Sequence, residues 1–158
     1  MSDAKRQIEL LQESGYSLRA IEYFMNRLHV GRIARPSVRS AYTGPCGDTM
    51  EFSLSIRADM IADAGFEAIG CAGSFVAGSA LVEMILGRDI EYAASIDEEQ
   101  VMTHLGAVPE QKKHCICLAK RTLRRALAAY RAGEARDETD AACANLEESV
   151  QAEDSNQR

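Results

Sequence analysis

Three short pieces of this 158-residue chain carry groups that could do chemistry together: Cys46-Gly47-Asp48, Gly70-Cys71 and His114-Cys115. Each offers a soft or borderline ligand on a segment with the composition of a turn or an element end. Brought together they would form a site of three thiolates, with a carboxylate and an imidazole at its rim. Thiolate sulfur suits zinc or an iron–sulfur cluster far better than magnesium or calcium. The gaps, 24 residues between Cys46 and Cys71 and 43 between Cys71 and Cys115, match none of the short zinc-finger spacings. The residues alone therefore leave zinc and iron–sulfur both open.

Position along the chain argues for each ligand separately. Cys46 sits in Gly44-Pro45-Cys46-Gly47-Asp48, where glycine permits unusual backbone angles and close approach to an ion. Asp48 alone would be a turn residue, but two positions after a cysteine it can bring a carboxylate to the same centre. Cys71 opens a helical stretch, where backbone N–H groups and the positive end of the dipole favour a thiolate. The competing reading is a small apolar core residue. Cys115 falls in the first turn of the last helix beside Lys112 and Lys113, which predicts a thiolate there too. His114 gains its ligand reading from adjacency to Cys115; His29 and His104 have no such company.

Two cysteines fall outside this set. Cys117 forms a Cys-x-Cys with Cys115, but on a helix turning about 100° per residue the two point roughly 200° apart. It lies on the side of Arg121 and Arg124 and is read as a non-ligand. Cys143, in an acidic stretch, is read as incidental.

The elements that must position these groups follow from periodicity. Asp3 to about Glu13 reads as a short helix capped by Ser2 or Asp3, and a second helical stretch starts at Ser17 and carries Ile21, Phe24, Met25 and Leu28. Residues 29–45 read as a long loop delivering Cys46, with a weakly patterned third strand inside 36–44. Met50, Phe52, Leu54 and Ile56 alternate with polar neighbours, predicting a strand over 49–57. Ala58-Asp59 turns the chain into a second strand from Met60 to Ile69. Cys71 to Leu86 is helical, with Gly87 as its stop and an unusually small face from Gly73, Ser74, Gly78 and Ser79. Ser95 or Asp97 caps a short helix to Leu105, and a last helix runs from Glu110 to Ala132. The predicted architecture is α+β: a small antiparallel sheet of about three strands covered on one face by several helices.

Composition bounds the function classes. The apolar fraction is 46%, aromatics are 6% and tryptophan is absent, so Leu, Ile, Val, Met and Ala must build the core. No apolar run approaches the ~20 residues of a membrane helix, and Asp3, Glu9 and Glu13 argue against a secretory or transit leader. Five cysteines spread over such a chain do not form a disulfide framework, which makes the cytosol the expected compartment. Of the net charge of −6, residues 131–158 hold eight acids against three arginines, leaving a nearly neutral body. That tail is expected to be disordered. Lys112-Lys113, Lys120-Arg121 and Arg124-Arg125 read as a solvated helix face, so neither nucleic acid nor a membrane is an expected partner.

In this order the pieces resemble the IscU/NifU-type iron–sulfur cluster assembly scaffolds. The likeness runs from about Tyr16 to Leu127 and rests on Tyr16-Ser17 with Ile21, Tyr23 and Asn26, on Cys46-Gly47-Asp48, on Ile61-Ala62-Asp63-Ala64 leading through Phe66 to Gly70-Cys71, and on His114-Cys115 with Leu118-Ala119. It divides the chain into an N-terminal helical extension (1–15), a scaffold domain (16–130) and an acidic tail (131–158). The resemblance implies a carrier rather than a turnover enzyme. A [2Fe-2S] cluster would be built from iron and from persulfide sulfur supplied by a cysteine desulfurase, then passed to acceptor apo-proteins. An electron donor and an iron-supplying protein are further implied partners, and a homo-oligomer is left open.

Carried onto this sequence, Cys46, Cys71 and Cys115 are the cluster thiolates, Asp48 the labilising carboxylate, His114 an alternative ligand and Cys115 the persulfide acceptor. Zinc in the same site is also implied, and with it the alternative of a zinc-binding sulfur acceptor that stimulates a desulfurase. The chain departs from the family at Asn26-Arg27, where Asn-Pro is usual, and lacks the insertion of SufU-type sulfur acceptors between Cys71 and Cys115. Val108-Pro109-Glu110-Gln111-Lys112 keeps only the first proline and the lysine of the family's chaperone motif, which weakens the expectation of a dedicated Hsp70 chaperone. A thiol redox protein using Cys115 and Cys117 is disfavoured by helix geometry and by the lack of a Cys-x-x-Cys.

Overall fold

The computed structural model describes residues 2–133. Helix α1 (Asp3–Ser14) starts at Ser2, whose side chain accepts from the Lys5 N–H, and ends at Gly15 in the left-handed region. Helix α2 (Leu18–Met25) starts at Ser17, whose hydroxyl accepts from Ala20 N–H at 3.0 Å. It stops three residues short of the expected Leu28. Arg27 and His29 take positive φ values of 48° and 63°, which no helix can continue through.

Three strands form one antiparallel sheet in the order β1 (Val38–Thr43), β2 (Thr49–Arg57), β3 (Met60–Ile69). The two long strands fall where alternation predicts them, joined by Ala58 and Asp59 with φ of 51° and 61°. The expected loop over 29–45 is shorter than predicted, because β1 occupies part of it. Its Val38, Ser40 and Tyr42 are buried while Thr43 is exposed, a period-two pattern that flanking Gly and Pro obscure in sequence.

Helix α3 (Ala72–Ile85) and helix α6 (Lys113–Arg131) pack on the sheet and on each other. The small face of α3 permits this closeness. A Cβ added at Gly78 would lie 2.4 Å from Phe66 Cε2, and one at Gly73 would lie 2.9 Å from Cys115 Sγ. Between them run α4 (Ile90–Ser95), α5 (Glu98–Leu105) and a single 3₁₀ turn (Glu110–Lys112). Helix α4 has no counterpart in the sequence reading: six residues capped by Asp89 are too few for helical periodicity to register. Helix α5 carries a full capping box between Asp97 and Gln100.

Phe52, Phe66, Leu54, Met50, Leu81, Ile85 and Leu123 are fully buried and form the core between sheet and helices. The architecture is thus the α+β arrangement expected. Among the described residues no helix is long and apolar enough to cross a membrane. The acidic tail beyond Gly133, with Cys143, lies outside the described residues.

Candidate metal centre

Strand register brings two of the three pieces together. Thr49 at the start of β2 pairs with Ile69 at the end of β3, so Asp48 arrives beside Gly70 and Cys71. The approach is close: a Cβ at Gly70 would sit 2.5 Å from Asp48 Oδ2. Cys71 is the N-cap residue of α3. The third piece comes from α6, which lies against β1, β2 and α3 and turns Cys115 inward, fully buried, opposite Gly73.

Asp48, Cys71 and Cys115 thus form a group whose ligand atoms all lie within 4.8 Å of one another. The Cys71 and Cys115 sulfurs are 3.6 Å apart, and Cys71 Sγ is 3.6 Å from Asp48 Oδ2. Exposed His114 places Nε2 3.6 Å from Cys115 Sγ. Two thiols, a carboxylate and an adjacent imidazole form a donor set that fits zinc or iron–sulfur chemistry and not an oxygen-loving cation.

Cys46 is not in this group. It is exposed on the 44–48 turn, which closes through Gly44 N–H to Asp48 O (2.9 Å) and Gly47 N–H to Gly44 O (3.0 Å). Gly47 needs a φ of 92° to make that turn. Gly44 packs on Leu118, and Cys46 lines a cavity of about 300 Å³ with Tyr42, Pro45, His114, Cys117 and Leu118. Helix α6 therefore shows two faces here: Cys115 toward the trio, and His114, Cys117 and Leu118 toward the cavity. Cys117 is where its angular offset predicts, away from the trio and hydrogen-bonded to Glu98. His104 contacts Tyr23 Oη at 2.9 Å and His29 contacts Glu83 at 2.6 Å, so both are occupied outside the site.

The two inner thiols are shifted in opposite directions. Burial pushes Cys71 upward, but the backbone N–H of Ser74, the Cys115 thiol, the Gly73 N–H and Lys112 together bring it below the ordinary thiol value. These N–H groups act on the sulfur without forming a hydrogen bond of standard geometry. Cys115 is pushed up to about 12, first by burial and then by the adjacent Cys71. The thiolate expected at Cys115 is therefore disfavoured by burial and by the adjacent sulfur, and Cys71 is the thiol whose ionisation the site favours. The expected help from the lysines is also redirected. Lys112 acts on Cys71, and Lys113 pairs with Glu110 at 2.8 Å.

Two further residues reach the site that sequence reasoning gave no role in it. Ser74, fully buried, donates its hydroxyl to Asp48 Oδ2 at 2.9 Å. With the Cys71 N–H and thiol and the His114 ring, that bond holds the Asp48 carboxyl below its usual range against partial desolvation. Its position three residues after Cys71, in a helix whose N-cap cannot itself cap, was the available signal. Tyr16 is also buried, and its hydroxyl has no partner among the described residues. Burial and then the charges of Cys71 and Cys115 raise it to about 12. No spacing rule would have found it.

An α+β scaffold with a soft-donor centre between a sheet edge and two helix starts defines the class. The model described as the NifU-like N terminal domain matches residues 15–137, and the chain belongs to that family. It is 35% identical over 116 residues to "Iron-sulfur cluster assembly scaffold protein IscU 1" of Archaeoglobus fulgidus, covering 73% of this chain and 76% of that one. It is 31% identical over 118 residues to the IscU scaffold protein of Aquifex aeolicus, covering 73% and 75%. It is 32% identical over 124 residues to the nitrogen fixation protein NifU of Azotobacter chroococcum, covering 77% of this chain but only 40% of that longer protein. A solved structure from Fervidobacterium islandicum, assigned as an iron–sulfur cluster assembly scaffold for the SUF system, superposes with a TM-score of 0.58 at 22% identity over 71% of this chain and 96% of that one. That likeness supports the fold.

Proposed function

We propose that this chain is a carrier on which a transient [2Fe-2S] cluster is assembled and then handed to acceptor apo-proteins, in a reducing compartment such as the cytosol. The observation that carries the reading is the convergence of Asp48, Cys71 and Cys115 within 4.8 Å from three separated segments. Cys46, on its exposed turn, would complete the thiolate set, with His114 as an alternative ligand. Membership of a scaffold family supports the same reading. A carboxylate among thiolates suits a site that must release what it holds, because oxygen is the poorer ligand for iron at such a centre.

Sulfur delivery fits the local geometry. Cys115 holds its proton in the closed site, and His114 Nε2, 3.6 Å from its Sγ, is the base placed to accept that proton as the sulfur attacks. The thiolate attacks the outer sulfur of a desulfurase cysteine persulfide; the S–S bond there breaks, the desulfurase cysteine leaves as thiolate, and Cys115 carries the new persulfide. Two electrons from an electron-donor protein then cleave that bond to sulfide and the Cys115 thiolate. Because Cys115 is fully buried, the desulfurase must open the seam beside the 44–48 turn.

A second cargo is supported by one observation. Tetrahedral zinc separates two sulfur ligands by roughly 3.7 Å, close to the 3.6 Å between the Cys71 and Cys115 sulfurs. Anaerobic reconstitution with ferrous iron, cysteine and a cysteine desulfurase separates the two. The carrier reading expects visible thiolate-to-iron bands that disappear when Cys46, Cys71 or Cys115 is replaced by Ser, and slower cluster release in Asp48→Ala. Stable zinc without a chromophore would make the chain a zinc-binding sulfur acceptor instead.

A further inference from the structure

The Asp48 side chain is tied to the start of α3. Its Oδ2 receives the Ser74 hydroxyl at 2.9 Å, with the Cys71 N–H at 3.5 Å and the Cys71 thiol at 3.6 Å. Ser74 is fully buried at the third position of α3, so no water competes for its proton. The same hydroxyl also faces the Cys115 sulfur. The hydroxyl proton is given to Asp48, and the Cys115 sulfur is the other trio member it acts on. When it points at Asp48, the carboxylate stays docked on the helix start. When it turns to the sulfur, Asp48 loses its strongest tether.

We infer that Ser74 is a positioning residue that sets how fast the site gives up its cargo, by holding Asp48 docked on α3 until the hydroxyl turns away. This rests on the carrier reading above, in which Asp48 loosens the bound metal. While docked, the carboxylate shares Oδ2 with the Ser74 hydroxyl and is a weakened donor to the metal; once freed, it competes fully with thiolate, and the cargo leaves. The Gly70 backbone makes docking possible, since any Cβ there would occupy the Asp48 carboxylate position.

The test is a double-variant cycle on the full chain with two separate cargoes. Cluster release to an iron chelator is followed by visible absorbance, and zinc release to a colorimetric chelator is followed independently. Ser74→Ala is expected to release either cargo about tenfold faster, the loss of one hydrogen bond to a charged group. Ser74→Thr, which keeps the hydroxyl, is expected to stay near the wild-type rate. Asp48→Ala should release slowly, and Ser74→Ala with Asp48→Ala should match Asp48→Ala alone. An unchanged or slower rate in Ser74→Ala overturns the inference. So does an equal acceleration in the Asp48→Ala background, because Ser74 would then act without the carboxylate. A wild type that takes up zinc but never a cluster overturns the carrier reading, while the zinc rates still decide the role of Ser74.

Discussion

Cys115 and Cys46 belong to the same proposed site, yet their surroundings have little in common. Cys115 is fully buried, wedged by Gly73 on α3, within 3.6 Å of a second thiol, and carried by a helix that spans the sheet. Cys46 is exposed on a five-residue turn and lines a cavity instead of touching the trio. One side of the site is therefore built into the core and the other sits at the exposed tip of a hydrogen-bonded turn. A centre made this way separates two tasks: the packed side defines where cargo sits, and the exposed side can complete or open the coordination without disturbing the fold.

If that division is right, stability and binding will come apart. Cys115→Ser buries a hydroxyl where a thiol now packs and is expected to cost about 1–3 kcal/mol in the metal-free protein. Cys46→Ser should stay within about 0.5 kcal/mol, as for an exposed residue. Both should lose the cluster chromophore. Equal unfolding midpoints for the two metal-free variants would erase the distinction.

Two glycines sharpen it at smaller amplitude. Gly73→Ala drives a methyl to 2.9 Å from Cys115 Sγ and 3.2 Å from Lys112 Cβ. It should cost about 1–2 kcal/mol and weaken zinc binding along with stability, because the clash falls on a ligand. Gly47→Ala meets open space but must hold a φ of 92°, so its cost of roughly 1 kcal/mol is backbone strain. Zinc titrations that fall in Gly47→Ala as much as in Gly73→Ala would show that the turn, too, fixes the metal position.

Much of this arrangement was legible in the sequence where physics acts locally. The strands of 49–57 and 60–69 follow from alternation, and the capped helices follow from Ser2, Ser17 and Asp97. The divergence of Cys115 and Cys117 follows from helix angle alone. What was not legible depends on long-range packing. Local cues predicted a thiolate at Cys115, but desolvation by α3 and the nearby Cys71 outweigh the helix dipole. The docking of Asp48 by Ser74 depends on strand register, which places residue 48 beside residue 70. Cys46 reads as the equal of Cys71 and Cys115 because composition says nothing about which way a turn points its side chain.

A pH signature should belong to the packed side alone. Cys71 has its pKa lowered from 9.0, so the folded protein sheds that proton before the unfolded chain does, and its contribution grows as pH rises toward 9. Cys115 is raised from 9.0 to about 12, so the folded protein keeps a proton that the unfolded chain has lost. That contribution is complete below pH 9 and is lost as pH rises from there toward 12. Tyr16, raised from 10.0 to about 12, adds to the fall only above 10. The stability of the metal-free protein minus that of Cys115→Ala should therefore decline between pH 9 and 10, before Tyr16 contributes. The matching difference for Cys71→Ala should rise as pH approaches 9 from below. Removing Cys71 should also ease Cys115 downward without returning it to an ordinary thiol, because burial is the larger cause. A Cys115 that titrated normally in Cys71→Ala, read by thiolate ultraviolet absorbance, would mean that the neighbouring sulfur and not the core sets its state.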